Sequence, residues 1–253
     1  MRLAAPVAML AVAAVLTGCG SDKPARPKGP DFAKAADTTA AKKTAQVKVT
    51  AAASGAGLPA GLKLPGSGVM ALDKPQGSLR FDLSDLLGLA GILTGTDLDV
   101  RYDGATVYAD PPDIPTLDIP GGWLSVDLLK VAKILEIDPL EAARKFTVDA
   151  SSQLLALKDI TDFKVVGKEQ VGGVATTHYR SAKARQEVWI DAHSLVHRMR
   201  KAGDIPEQKG LSSAGSYDIT IELSDFGTAL DPSPPDDATD ITGTIVSLLD
   251  RRD

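Results

Sequence analysis

The side chains of this chain best suited to nucleophilic, acid–base or metal chemistry are one cysteine and three histidines. Cys19 is the only cysteine among 253 residues, which excludes a disulfide within the chain and a multi-thiolate metal site. His193 lies in a predicted turn, and His178 and His197 lie on predicted strands without a carboxylate pattern around them. Zinc ligands come in groups with defined spacing. The histidines therefore predict no metal site.

No other motif indicates catalysis. The serine nucleophile of an α/β-hydrolase sits in a G-x-S-x-G turn between a strand and a helix. Gly66-Ser67-Gly68 lacks this pattern and precedes a predicted strand. Gly121-Gly122 and Gly172-Gly173 are interpreted as turn glycines, because neither pair opens a helix after a strand. We expect no catalytic residue, no cofactor and no enzymatic activity.

The position of Cys19 suggests a different chemistry. Arg2 is followed by the uncharged stretch from Leu3 to Leu16, which is too short to span a bilayer and is typical of a signal peptide. Leu16-Thr17-Gly18-Cys19 resembles the lipobox of bacterial lipoproteins. That resemblance implies that the thiol receives a diacylglyceryl group and that cleavage leaves Cys19 as the new N-terminus. The alternative is an ordinary secretory signal with an incidental cysteine.

The domain boundaries follow from composition. We predict a signal peptide over residues 1–18, a lipidated N-terminus and flexible tether over 19–44, a folded domain over 45–230, and a C-terminal tail over 231–253 with a candidate short helix. Within the tether, Asp31 to Lys43 is a candidate helix capped by Asp31 or Asp37. The formal net charge of −5 argues against a nucleic-acid partner. Hydrophobic residues make up 43% and aromatic residues 4%, which predicts an aliphatic core.

Strand patterns dominate the folded domain. Charged and aliphatic residues alternate in several segments, and this alternation indicates a sheet with one wet and one buried face. Asp103-Gly104 and Gly172-Gly173 predict hairpin turns, so the pairing should be antiparallel. A helical block is expected between the strand groups, with one helix over Val126–Ile137, another starting at Asp138-Pro139 and a third through Leu154–Leu157. Four aspartates are assigned to the wet face: Asp82, Asp97, Asp99 and Asp218.

Four motifs in order resemble the LppX/LprG/LprA lipoprotein family of actinobacteria, which shares its fold with the LolA and LolB lipoprotein carriers. The resemblance covers Ala45 to Gly227 and is carried by Gly122-Trp123-Leu124-Ser125-Val126-Asp127, the stretch from Gly167 to Tyr179, Val188-Trp189-Ile190-Asp191, and Ser224-Asp225-Phe226-Gly227. It implies an α+β fold, with a strongly curved antiparallel β-sheet (half-barrel) and helices covering the concave face. It also implies an apolar cavity for acyl chains of lipids or lipoglycans, with transfer across the envelope as one use.

We expect an inward-facing apolar set to line this cavity. Its members are Val47, Val49, Leu79, Phe81, Leu98, Val100, Tyr102, Trp123, Leu128, Val131, Leu135, Ile219, Ile221 and Leu223. In a closed core the same side chains would contact one another, and the protein would then be an envelope interaction module or scaffold. Trp123 has a second interpretation as an anchor for the start of the helical block. The expected partners are acyl chains and, through Cys19, the outer surface of the cell membrane, with the protein as a monomer.

Overall fold

The structure, a computed structural model, describes residues 31–55, 62–84, 96–112, 121–134, 149–205, 214–231 and 233–250. Asp31–Asp253 forms one compact unit. The signal peptide, Cys19 and the first part of the predicted tether lie outside the described residues. The helix expected at Asp138-Pro139 also lies outside them.

The described residues contain four helices and twelve strands. The helices are α1 (Phe32–Ala40), α2 (Leu128–Ile134), α3 (Ala150–Leu157) and α4 (Thr242–Asp250). The strands are β1 (Thr44–Gly55), β2 (Leu62–Ala71), β3 (Gln76–Asp82), β4 (Asp97–Asp103), β5 (Thr106–Asp110), β6 (Leu124–Asp127), β7 (Lys164–Val171), β8 (Val174–Ser181), β9 (Gln186–Asp191), β10 (Val196–Ile205), β11 (Gly215–Ser224) and β12 (Thr239–Asp240).

All twelve strands belong to one curved sheet in the order β12-β6-β5-β4-β3-β2-β1-β11-β10-β9-β8-β7. Every neighbouring pair is antiparallel except β12 with β6. The two predicted hairpins are present, with Gly104 between β4 and β5 and Gly172-Gly173 between β7 and β8, all at positive φ. The predicted fold class, an α+β half-barrel built on an antiparallel sheet, is therefore confirmed.

Helices α1 and α3 pack against each other and against one face of the sheet. Asp31 caps α1 by accepting a hydrogen bond from the Lys34 N–H at 3.0 Å. The side chain of Thr39 accepts the Val196 N–H of β10 at 2.9 Å, which ties α1 to the sheet. Lys158, which follows α3, pairs with Asp37 of α1 at 2.6 Å.

The assignment of residues 31–44 to a flexible tether is corrected by this packing. Ala35, Ala36 and Thr39 are at most 1% exposed. Alanine contributes little to hydropathy, so the segment looks polar in sequence. Its small side chains nevertheless allow the helix backbone to lie close to the sheet. Helix α1 is therefore part of the packed domain.

The helical block also differs from the expectation. Val126 lies in β6, opposite Val107, rather than in a helix. The Asp127 carboxylate accepts the Leu129 and Lys130 N–H groups, so it caps α2 where the strand ends. Helix α2 packs against α4 of the C-terminal tail instead of joining the α1–α3 layer.

Candidate functional site

The strand registers place ten of the predicted lining residues on one side of the sheet. Val47 lies opposite Leu223 in β11 and opposite Gly68 in β2, and Leu79 lies opposite Val100 in β4. We call this side, which contacts α1 and α3, the inner face. Its predicted members are Val47, Val49, Leu79, Phe81, Leu98, Val100, Tyr102, Ile219, Ile221 and Leu223.

The part of the inner face under α1 and α3 is closed. Val47, Val49, Ile221 and Leu223 are at most 2% exposed and belong to one cluster with side chains of both helices. Leu154 and Leu157 of α3 are the largest helical members of that cluster. Burial of such aliphatic side chains stabilises the fold by about 1.5–3 kcal/mol each.

The inner face continues beyond this closed part. Leu98 and Val100 of β4 are only half-buried. Phe81, Tyr102 and Ile219 are partly buried at the margin of the core cluster. The register adds four apolar residues that the sequence analysis did not name: Val107 and Ala109 in β5, and Leu124 and Val126 in β6. The apolar face is thus longer than the part that α1 and α3 close.

Three further predicted lining residues are described by the structure, and they do not form one group on the inner face. Trp123 carries the Arg101 guanidinium 5.0 Å from its ring centre, and Arg101 belongs to the opposite side of the sheet. The structure therefore groups Trp123 with the outer face, contrary to the prediction that it lines the cavity. Leu128 and Val131 lie on α2, where Leu128 is 37% exposed and Val131 is half-buried. Leu135 lies outside the described residues.

Glycines opposite aromatic residues shape the inner face. Three register pairs join a glycine to an aromatic residue: Gly66 with Phe81, Gly77 with Tyr102, and Gly203 with Tyr217. In each pair a Cβ on the glycine would lie within 2.6 Å of the partner's ring. The rings therefore occupy the space that a side chain at each glycine would need. Sequence reasoning missed these pairs because they depend on the strand register.

A buried polar group interrupts this apolar surface. The Tyr102 hydroxyl is buried next to the Asp149 carboxylate. The side-chain oxygen of Gln153 in α3 is also buried and has no hydrogen-bond partner. Burial, and then the charge of the nearby Asp149 carboxylate, raise the pKa of Tyr102 well above its usual value. The nearby carboxylate gives this buried phenol a polar neighbour. The Asp149 carboxylate also accepts the Ser151 and Ser152 N–H groups at the start of α3.

The outer face carries a hydrogen-bonded network rather than isolated charges. His178 lies between Glu169 and Glu187, at 2.9 and 2.6 Å, and its ring stacks on Trp189 at 4.1 Å. His197 likewise lies 3.1 Å from the Asp191 carboxylate. The expectation that His178 and His197 have no carboxylates around them is therefore wrong. The signal was present in the hairpin, since the Gly172-Gly173 turn brings β7 and β8 together.

Two carboxylates of the outer face, Glu169 and Asp191, have shifted pKa values. A hydrogen bond from the Trp189 indole N–H lowers the pKa of Glu169, with smaller contributions from His178. Burial alone would raise the pKa of Asp191. Hydrogen bonds from the Leu195 N–H, from His197 and from the His193 N–H instead bring this pKa below its usual value.

The described ranges contain no His, Cys, Asp or Glu cluster arranged to hold a metal ion. Within the same ranges, no helix has the length and apolar character needed to cross a membrane.

Comparison with family models finds no match, and no curated protein sequence is significantly similar to the chain. Solved structures do match. Lipoprotein LppX of Mycobacterium tuberculosis shares 13% identity, with 81% of this chain and 100% of LppX covered and a TM-score of 0.40. LprF of Mycobacterium bovis shares 14% identity over 81% of this chain and 97% of LprF, with a TM-score of 0.37.

A LolA-superfamily protein of Nitrosomonas europaea is more distant. It shares 8% identity over 77% of this chain and 92% of its own length, with a TM-score of 0.28. All three matches have TM-scores below 0.5 and sequence identities of 14% or less. At such identities the similarity concerns the fold alone.

Proposed function

We propose that this protein is an extracytoplasmic lipoprotein that binds acyl chains of lipids or lipoglycans on its inner face and passes them across the cell envelope. It works without catalysis, as a carrier. Cys19, which lies outside the described residues, anchors it to the outer surface of the cell membrane.

The observation that carries this proposal is the incomplete cover of an apolar surface. Helices α1 and α3 close the inner face around Val49 and Ile221. Farther along the same face, Leu98 and Val100 stay half-buried. A continuous aliphatic surface that is only partly covered is typical of a ligand-binding site. A ligand that covers it removes apolar area from water, which lowers the free energy.

The chemistry of the lining favours chains over headgroups. Each methylene group removed from water contributes about 0.8 kcal/mol. The aliphatic residues of β4 supply no charged partner for a headgroup at the inner surface. Chain length should therefore dominate affinity, and selectivity for the headgroup should be weak.

The anchor follows from the sequence alone. A diacylglyceryl group supplies two chains, and two lipid attachments hold a protein stably where one chain does not. The residues between Cys19 and Asp31 then form a short tether. The folded unit that begins at Asp31 would stay close to the membrane that supplies its ligand.

A second candidate function is an envelope interaction module with a closed core. The observation in its favour is the near-complete burial of Val47, Val49, Ile221 and Leu223. In this alternative the half-buried residues of β3 and β4 are the margin of an ordinary core.

Native mass spectrometry separates the two candidates. The full chain with Cys19→Ala would be expressed in a bacterium and purified without detergent. We expect a population with added mass, which organic extraction converts to the apo mass while releasing acyl lipids. A single apo mass, together with no binding of a fluorescent fatty acid, would favour the interaction module and reject the carrier.

A further inference from the structure

We propose that Lys201 and Gln186 form a subsite for a negatively charged group of the bound lipid, at the end of the inner face where the N-terminal tether begins. The group recognised is a carboxylate or a phosphate. The inference rests on the proposed acyl-chain binding and adds a charge preference to it. Chain length remains the main source of affinity.

The strand registers place both side chains on the inner face. Lys201 of β10 lies two residues after Met199, which is fully buried in the core cluster, and it pairs with Ile219 of β11. Gln186 of β9 lies two residues before Val188, another fully buried core residue. Because alternate residues of a strand share one side, Lys201 and Gln186 belong to the side that contacts α1 and α3.

The two residues are also direct neighbours. Lys201 and Gln186 are partners in the antiparallel register of β9 and β10, and the Cβ atoms of such partners lie about 4.5–5.5 Å apart. The amine and the amide can therefore donate to the same anion. Gln186 is 3% exposed, and its amide nitrogen makes no hydrogen bond. A buried donor of this kind destabilises the apo protein until an acceptor binds.

This end of the inner face is only partly covered. Lys201 and its neighbour Ile219 are half-buried, and so are Ala51 and Leu64, which continue the same register row across β1 and β2. The row thus joins an apolar surface to a cation in β10. A partly buried amine favours an anionic partner, and its three N–H groups allow it to hold more than one oxygen atom.

The neighbouring carboxylates are engaged by other groups. Asp204 pairs with Arg185 at 2.6 Å. The Asp162 carboxylate accepts a hydroxyl of β8 at 2.6 Å and the Lys183 N–H at 3.4 Å. The charges of Lys183 and Arg185 balance those of the two carboxylates, so Lys201 adds one positive charge to this set. The local charge therefore favours an anion.

The start of α1 lies at the same end of the sheet. Phe32, the first residue of α1, meets the ring of Tyr179 at 5.3 Å, near the end of β8 and the start of β9. Thr39, near the other end of α1, contacts Val196, the first residue of β10. The N-terminus of α1, and the tether before it, therefore lie at the end that carries Lys201. A lipid anchor would hold this end next to the membrane that supplies the ligand.

The test compares three ligands of equal chain length on the full chain carrying Cys19→Ala. Palmitate carries a carboxylate, palmitoyl lysophosphatidate carries a phosphate, and hexadecanol is neutral. Each would displace the neutral probe N-phenyl-1-naphthylamine from the delipidated protein, below the critical micelle concentration. We expect at least one anion to bind about tenfold more tightly than hexadecanol, with a smaller advantage at high salt. An advantage of palmitate alone assigns the site to carboxylates, and an advantage of lysophosphatidate alone assigns it to phosphates.

Variants identify the residues responsible. Lys201→Met should remove the advantage of the anions and leave hexadecanol affinity unchanged, while Lys201→Arg should keep the advantage. Gln186→Leu should reduce it, because one donor is lost. Lys48→Met, at an exposed position on the outer side of β1, is the matched control and should keep it. Thermal unfolding of each apo variant verifies that it is folded.

Equal binding of the three ligands by the wild type would overturn the subsite and leave acyl-chain binding intact. An anion advantage that persists in Lys201→Met would also overturn it. The same holds if Lys201→Met weakens all three ligands equally, because the lysine would then support the fold rather than hold the anion. Failure of the wild type to bind any of the ligands would reject the proposed function as well.

Discussion

Tyr102 of β4 occupies the space that any side chain at Gly77 of β3 would need. A Cβ built on Gly77 would lie 2.5 Å from Cε1 of Tyr102 and 2.6 Å from its hydroxyl oxygen. The glycine and the tyrosine therefore depend on each other: the glycine gives the ring its place, and the ring covers the exposed glycine backbone.

Gly77→Ala should destabilise the protein by about 1–3 kcal/mol, because the methyl group forces the Tyr102 ring out of its position. Urea denaturation would measure the effect. The cost should be much smaller in a Tyr102→Ala background, since the clash is then gone. Gly167→Ala in β7 is the control, because a Cβ there meets no atom within 4 Å. Wild-type stability of Gly77→Ala would contradict the close packing of the pair.

Thr39→Val should destabilise the domain by about 1–3 kcal/mol without changing side-chain volume much. The Thr39 hydroxyl accepts the Val196 N–H and is fully buried, so valine leaves that N–H unpaired. Thermal denaturation would detect the loss. Thr38→Val changes the preceding, half-buried residue and should have a small effect. If the two variants were equally stable, α1 would not be part of the packed domain.

Asp191→Asn should weaken the fold at neutral pH but not at low pH. The pKa of Asp191 is lowered from 3.8 in the folded state, so its charge stabilises the fold above that value. This contribution is lost as the pH falls through the folded pKa and the carboxylate becomes protonated. The measurement is the difference in unfolding free energy between wild type and variant from pH 7 to pH 3.

The expected difference at pH 7 is about 1–3 kcal/mol, because two N–H groups of the β9–β10 turn lose a charged acceptor. It should shrink below about pH 4, near the ordinary aspartate pKa. Asp236→Asn at an exposed position controls for the change in net charge. A difference that stays constant with pH would contradict the assignment.

The sequence predicted those strands well that have one solvent-exposed face and one buried face. Tyr217 to Leu223 alternates with period two, and this pattern assigned Ile219 and Ile221 to the inner face as the register has them. Local alternation carries that information because side chains of a strand point to opposite sides. The hairpin turns were also predicted correctly, because glycine readily adopts the positive φ that such turns require and Gly104 has it.

The features that could not be predicted from the sequence depend on contacts between residues far apart in the chain. Ala35 and Ala36 look unremarkable in sequence, and their burial follows from packing of α1 on strands far along the chain. The burial of the Tyr102 hydroxyl beside Asp149 could not be predicted for the same reason, because Asp149 lies 47 positions away at the start of α3. No local pattern encodes which strands are neighbours.

Cys19→Ala should release the protein from membranes or leave an uncleaved precursor. The motivating feature is the Leu16-Thr17-Gly18-Cys19 sequence after an apolar stretch. Without the thiol no diacylglyceryl group can attach, and the remaining chain has little affinity for a bilayer. Fractionation with immunoblotting measures the change. Undiminished membrane retention of the variant at the size of the mature protein would reject the lipid anchor.

Val100→Trp should reduce acyl-chain binding while the sheet stays folded. Val100 is half-buried on the inner face, opposite Leu79 in β3 and Ala109 in β5, at the point where the surface extends past the core. A larger ring there fills the space that we assign to the chain. The measurement is loss of co-purifying lipid by native mass spectrometry, combined with the thermal unfolding midpoint. Val165→Trp, at a side chain that is already 65% exposed, is the control. If Val100→Trp instead lowers stability by about 1–3 kcal/mol and the wild type never carries lipid, Val100 belongs to a packed core and the carrier function is refuted.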